Sequence, residues 1–314
     1  MKLTDTIEQE YGTLNESTVL NIKRNVKKTK EEEVLLNAFL YFLQRVKENE
    51  MLDYHNYDNH SSFFAENTLA RFQNICFSSE DITYLTVLMT EHSHKVFYPS
   101  SGVFLTKLIS NHFKKNPNTS SYTLILENQK NLLYNLLSVF DGPTVHIFGD
   151  VGDNFCNKIE NGTIFLHGNV YGDAGEEMYN GSIQIFGNVM KKVGKEMING
   201  SINISGNVHN TVGTWMKNGK ITVQGNVESS LGMMQEGGEI VIGGNVKEEV
   251  GNNMRNGKIT IKGNTQDYVG RNIKNGSIYL ERNYPRIFKT KDPLSTKGRI
   301  YHKEKQIFPE YENE

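Results

Sequence analysis

The stretch IQIFGNVMKKVGKEMINGS, residues Ile183–Ser201, is one unit of a repeat that fills the second half of the chain. Reading outward from it, Gly149, Gly168, Gly187, Gly206, Gly225, Gly244 and Gly263 are each 19 residues apart. Two further glycine columns keep the same step, one through Gly175, Gly194 and Gly213, the other through Gly162, Gly181 and Gly200. Of the 28 glycines, 24 lie between Gly149 and Gly276, so placement rather than content carries the information. Apolar positions are equally fixed. Ile164, Ile183, Ile202, Ile221, Ile240, Ile259 and Ile278 head the units, each followed two residues later by a second aliphatic. Valine and methionine columns complete the unit, with Val189, Val193 and Met197 as one example.

Alternation over I-x-I has the period of a strand rather than a helix. Each unit closes on Asn-Gly or a close variant, a pair that tolerates positive φ and marks a tight turn. Short β-branched runs between glycine corners describe one coil of a β-solenoid. Burying five side chains does not offset the ordering of nineteen residues, so a coil is stable only in a stack. About seven 19-residue coils, Val145–Ser277, would form a rod about 34 Å long. A further column, Asn169, Asn188, Asn207, Asn226, Asn245 and Asn264, continues to Asn283 and is headed by Asp150. Stacked amides hydrogen-bond along the axis, so a structural ladder is the preferred reading. A row of ligand-binding amides is the alternative. Pro143 and Pro285 bracket the array, where strand-incompatible residues belong.

Residues 1–141 carry a helical pattern instead. Val34, Leu35, Ala38, Phe39, Phe42, Leu43 and Val46 share one helix face, behind the acidic first turn of Glu31–Glu33. Ser79 followed by Glu80 and Asp81 predicts an N-cap and a helix through Met89; Ser101 predicts another opening, ending near Lys114, Lys115 before Pro117. A short strand is expected over Tyr122–Leu126, a last helix over Lys130–Phe140, and a loop over Tyr54–Ser62 with His55 and His60. The organisation is thus a mainly helical domain (1–141), a β-helix (143–283) and a polar tail (284–314). The helical part and a hairpin over Arg299–Phe308 are expected to cap the two ends, whose unpaired edges would otherwise recruit further chains.

Composition excludes several classes. Thirty-four basic against 36 acidic residues leave a formal charge of −2, no global field for nucleic acid or anionic membrane. Two cysteines, Cys76 and Cys156, make no disulfide framework, and the longest apolar run, Ala38–Leu43, is too short to span a bilayer. A cytoplasmic protein is expected. The search for chemistry finds little: no G-x-G-x-x-G opening a helix, no calcium nonapeptide, no carboxylate cluster of the kind a glycan-cleaving solenoid needs. His92 and His94 form an H-x-H with no third ligand in view, and Cys156 sits in a glycine column with no nearby base. No cofactor, catalytic residue or metal site is assigned. What remains is surface. Trp215, the single tryptophan, and Met234 share a column in adjacent coils with Met233 beside them, and Tyr171, Tyr179, Phe186 and Met190 add apolar side chains. Such a patch marks a candidate partner surface. The repeat slips at this coil, where Gln235 replaces the column methionine; either Met234 turns inward or the coil is distorted.

The unit G-N-V-x-x-x-V-G-x-x-M-x-N-G-x-I-x-I-x, as in Gly187–Ser205 or Gly244–Lys262, resembles the repeat of the GXGXG family. That family comprises the C-terminal β-helix of the glutamate synthase large subunit and the β-helical subunit of formylmethanofuran dehydrogenase; the Gly-Asn-Val corners are closer to the latter. The resemblance covers 143–283 only. It implies a right-handed parallel β-helix that braces the catalytic modules of an oxidoreductase assembly and is itself non-catalytic. Amidotransferase and flavin-domain motifs are absent, and residues 1–141 and the tail match neither member. The expectation is a scaffold with a protein partner, an enzyme subunit or a second copy. Two alternatives stand beside it: a solenoid that self-associates into filaments, and an enzyme with an unrecognised site in the helical domain.

Overall fold

The computed structural model describes residues 30–48, 65–70, 77–89, 97–127, 132–284, 286–287 and 297–308. Among these residues four helical segments come first: α1 (Lys30–Glu48), α2 (65–70), α3 (Ser79–Met89) and α4 (Phe97–Lys115). The face expected for α1 is the one that packs, with Leu35, Ala38, Phe39 and Phe42 buried. Phe39 and Phe42 close on Phe104 of α4 at ring-centroid distances of 5.4 and 5.0 Å.

Two helix starts differ from expectation. The cap of α3 is Ser78, not Ser79. Ser78 Oγ accepts the Asp81 N–H at 3.2 Å, and Asp81 Oδ2 accepts the Ser78 N–H at 2.7 Å. That reciprocal box satisfies two first-turn donors, and a good cap contributes about 1 kcal/mol. Helix α4 begins at Phe97 rather than Ser101, which is buried inside it. Pro99 falls in the first turn, where a missing N–H costs nothing and a fixed φ suits the helix. The stretch Tyr54–Ser62 lies outside the described residues.

Among the described residues the remaining chain winds through thirteen strands: β1 (Ser121–Ile125), β2 (Thr144–Phe148), β3 (Thr163–His167), β4 (Ser182–Ile185), β5 (Ser201–Ile204), β6 (Lys220–Val223), β7 (Glu239–Ile242), β8 (Lys258–Ile261), β9 (Tyr268–Val269), β10 (Ser277–Leu280), β11 (Arg286–Ile287), β12 (Arg299–His302) and β13 (Lys305–Phe308). Eleven of them form one sheet in the order β1 to β8, β10, β12, β13. Neighbours pair in parallel up to β12, identical columns lying over one another, as Ile183 over Ile164 and Ile202 over Ile183. Ten parallel strands in sequence make nine turns of a β-solenoid. Valine bridges such as Val189↔Val208 and Val193↔Val212 repeat the stacking on the other sides of the coil. The five inward side chains of a coil, Ile183, Ile185, Val189, Val193 and Met197 for instance, are wholly buried.

Two glycine columns show what a substitute there would meet. A Cβ on Gly187 would lie 2.3 Å from the Gly168 carbonyl oxygen of the coil before it. Gly194 turns the second corner at φ +60°, and a Cβ there would meet Ile221 Cδ1 at 2.4 Å. The first needs close approach, the second also a left-handed backbone.

The stack runs one turn beyond Val145–Ser277 at each end. Residues 132–140, where a helix was expected, are instead a corner of the first turn. Asn135, Leu137 and Val139 have φ of 53–57°, and the Asn135, Val139 and Cys156 N–H groups bond to Asp153, Asn157 and Leu136 carbonyls. Leu133, Leu136, Leu137 and Phe140 mimic a helical period but are buried under the coil that follows. Tertiary pairing with residues 152–160 overrides local preference.

The first edge is covered by helices, and a hairpin ends the stack at the other. At the first edge α3 lies against β1 and supplies side chains where a strand would supply backbone. Thr83 Oγ1 donates to the Thr123 carbonyl at 2.7 Å, and Thr86 Oγ1 accepts the Ile125 N–H at 2.9 Å. From α4, Thr106 Oγ1 accepts the Leu137 N–H at 2.8 Å. Buried His112 ties the same helix to the edge: its Nε2–H donates to the Phe77 carbonyl (2.9 Å), leaving Nδ1 to accept from the Tyr122 hydroxyl (2.6 Å). At the far end the expected hairpin forms. β13 folds back antiparallel on β12 through Lys303 and Glu304, both at positive φ, and buries Ile300 and Phe308.

Candidate functional site

The outer surface of the solenoid is a set of columns, and most are self-satisfied. Each asparagine Oδ1 in the ladder accepts the backbone N–H of the asparagine one coil on: Asn188 to Asn169 at 2.9 Å, then Asn207, Asn226, Asn245 and Asn264 at 2.8 Å each. Asp150 Oδ1 starts the series at Asn169 (2.7 Å), and Asn283 ends it. The bond to backbone runs through every step, and at Asn188 and Asn226 the side-chain amide also donates to the asparagine one coil before, at 3.2 and 3.3 Å, as stacked amides should. Each asparagine therefore satisfies a corner donor beside the repeat glycines Gly168, Gly187, Gly206, Gly225, Gly244 and Gly263. Two charged columns change sign from coil to coil, around Glu239 and around Glu236. Glu239 sits between Lys220 (2.8 Å) and Lys258 (3.1 Å), and these two cations hold its carboxyl below the usual range. Arg255 similarly meets Glu236, and Lys195 meets Glu176.

Trp215 and Met234 break this pattern. Both occupy the left-handed position that follows the second corner, at φ +55°. The same position carries Glu177 and Glu196 in earlier coils and Asn253 and Asn272 in later ones. Asparagine is at home there, whereas tryptophan is not. Trp215 Nε1–H donates to Met234 Sδ at 2.7 Å, and the residue remains 38 % exposed. Met233, beside them, is half-buried.

Neither expectation for the irregular coil holds. Met234 stays outward, and the backbone stays in register. Gln235 enters the core in the methionine column, fully buried, with Nε2 donating to the Gly237 (2.8 Å) and Gly238 (3.1 Å) carbonyls. Its Oε1 has no hydrogen-bond partner among the described residues. An unbranched glutamine fills the volume of a methionine, so register survives the substitution.

The other apolar outer side chains are placed elsewhere. Phe186 belongs to a ladder of rings on the outer face of β2–β4: Phe148 on His167 (4.5 Å), His167 on Phe186 (4.6 Å), and His146 on Phe165 (4.9 Å) in the next file. Burial and the nearby His146 hold the His167 imidazole below its usual pKa, which keeps it neutral. Sequence reasoning named only Phe186 of these five, although the signal was present: outward positions two apart within a strand are aromatic in successive coils. Tyr171 and Tyr179 are exposed on other columns.

Cys156 is buried at φ +54°, and burial pushes its thiol well above the ordinary value, which removes the thiolate that reactivity requires. His92 and His94 lie outside the described residues. Among the described residues no group of three or more His, Cys, Asp or Glu could hold a metal ion, and no helix is long and apolar enough to cross a membrane. No protein-family model matches the chain, and no curated protein matches it.

Proposed function

We propose that this protein is a non-catalytic scaffold of the cytoplasm that docks a protein partner, an enzyme subunit, through the solenoid surface around Trp215, Met233 and Met234. The observation that carries the reading is the Trp215–Met234 pair. Two apolar side chains are held outward, in contact, on left-handed backbone positions where neighbouring coils use asparagine or glutamate. A strained, exposed tryptophan on a rigid array is the kind of anchor that interfaces use. The likeness of the repeat to the GXGXG family points the same way, toward bracing an oxidoreductase assembly.

The filament reading loses ground because the first edge of the sheet is met by threonine hydroxyls of α3, which occupy the place of an incoming strand. The test is paired affinity purification from the native organism, with the wild type and a Trp215→Asn variant. Asparagine suits the left-handed backbone, so the thermal midpoint should stay nearly constant while a stoichiometric partner is lost. A variant that keeps the partner refutes the reading, as does one that loses the fold.

A further inference from the structure

Methionine is a core side chain of this repeat. Met178, Met197, Met216 and Met254 fill one inward column and are wholly buried, as is Met89 in α3. Among the described residues only Met190, Met233 and Met234 reach the surface, each half-buried. Met234 differs from the other two. Its thioether accepts the Trp215 Nε1–H, so one sulfur lone pair is held against the indole and the other is directed away from it. The pair stands on a fixed frame. The Trp215 backbone N–H donates to the Met233 carbonyl at 2.9 Å, and that of Met234 to the Asn252 carbonyl at 2.8 Å. Gln235 fills the adjoining core position, so Met234 has no inward place to withdraw to.

A thioether at the surface reacts with peroxides, whereas a buried one reacts only when the fold opens. We infer that Met234 is a reversible oxidation site, converted to its sulfoxide by a hydroperoxide, and that its oxidation state controls the Trp215 surface. The step balances without a further reactant. A sulfur lone pair attacks the terminal peroxide oxygen, the O–O bond breaks and an S–O bond forms. The departing hydroxide or alkoxide takes the proton from the transferred oxygen and leaves as water or an alcohol. Sulfur is oxidised by two electrons and the peroxide is reduced. Because the Trp215 N–H occupies one lone pair, attack goes through the other and the product is a single sulfoxide epimer. One epimer is what a single reductase can fully reverse; a mixture needs two. The oxidised sulfur is electron-poor and no longer accepts the indole N–H, so the contact is lost and an apolar pair gains a polar oxygen. Control of docking rests on the partner reading proposed above, whereas the oxidation stands on the geometry of the pair alone.

The test treats the full chain with hydrogen peroxide and follows each methionine by peptide mass spectrometry. Met234 should gain its oxygen at least about tenfold faster than Met178, Met197, Met216 and Met254, at an unchanged thermal midpoint. Trp215 is the single tryptophan, so its fluorescence reports this pair alone. Emission should shift in step with the Met234 oxygen. It should return with one of the two epimer-specific methionine sulfoxide reductases and not with the other. Trp215→Phe keeps a ring but removes the N–H, and should leave about half of the sulfoxide to each enzyme. Met234→Leu should hold its emission constant through the same treatment. Preferential oxidation of Met190 or Met233 overturns the inference, as does equal reversal by both reductases in the wild type. So does an emission that ignores oxidation at Met234. For docking, untreated, oxidised and re-reduced protein are compared in purification of the native partner. A partner kept by the oxidised protein but lost by Trp215→Asn overturns the control. If untreated protein captures none, the partner reading fails and takes the control with it, while the mass and epimer measurements still decide the site.

Discussion

Replacing Thr83 and Thr86 together by valine tests the cap at the first edge of the sheet. The swap keeps shape and β-branching, and the two residues have similar helix propensity. It removes only the hydroxyls that meet the Thr123 carbonyl and the Ile125 N–H. Each buried backbone group left unpaired costs about 1–3 kcal/mol, so the pair should weaken docking of α3 by about 2–6 kcal/mol. That is about one and a half to four decades in the opening equilibrium, measurable by hydrogen exchange at the Ile125 amide. Amides of β7 around Ile240 should hold their protection, because their ladder is untouched. An opened edge is also a template for further strands, so light scattering should rise with concentration. Unchanged Ile125 exchange would refute the reasoning, since the hydroxyls would then not be what covers the edge. Faster exchange without growth would keep the cap and dispose of self-association.

Gln235→Met should stabilise the fold by about 1 kcal/mol, the balance of removing a buried amide with an unpaired oxygen against two lost amide bonds. The midpoint would rise by about 2–4 °C in a thermal melt; Gln235 Nε2 already stands where the methionine methyl stands in other coils, against the glycine of the next coil. Acid should loosen the helical cap through His112. Burial holds its pKa below 6.5, with Glu80 and Asp81 drawing it up and Lys115 pushing it down. The unfolded chain therefore takes up the proton first as pH falls below about 6.5, and the stability present above that value declines until the folded pKa is passed. His112→Gln should flatten that part of a stability-versus-pH curve; an unaltered slope would assign it to another group, His167 being the next with a lowered value.

The solenoid was legible because its rule is geometric and repeated: glycine where backbones touch, isoleucine where the strand turns inward, asparagine at the corner. Each column is enforced by the same contact in every coil, so each coil is a further reading of one constraint. The ends were less legible for the same reason. Residues 132–140 obey no column; Leu133, Leu136, Leu137 and Phe140 are spaced as a helix would space them, and only the following coil decides otherwise. The cap hydroxyls Thr83, Thr86 and Thr106 belong to helices and look ordinary in sequence, because their partners are backbone groups 30 to 40 residues away. At Gln235 the sequence weighed polarity against position. Position wins, because an outward glutamine would have had to bring Met234 inward and shift every later column by one residue.

A repeat this regular raises its own difficulty, since leaving out one coil would still align glycine with glycine and isoleucine with isoleucine. Leaving out a coil forfeits the burial of its five inward side chains, and the alternating charges add to that penalty. Omitting the coil headed by Glu239 would set Lys258 against Lys220 and, on the return side, Arg255 against Lys217, in place of the pairs with Glu239 and Glu236. Each exposed pair contributes only about 0–1 kcal/mol in the native register, and a like-charge pair costs a similar amount. Two columns changing sign together add up to about 4 kcal/mol to the separation of the registers, an appreciable share of a typical folding stability. Fixed ends complete the constraint, because the helical cap is bonded to β1 and the hairpin is paired with β10. The outer polar columns thus reinforce the native count of coils, and hence where along the rod Trp215 stands.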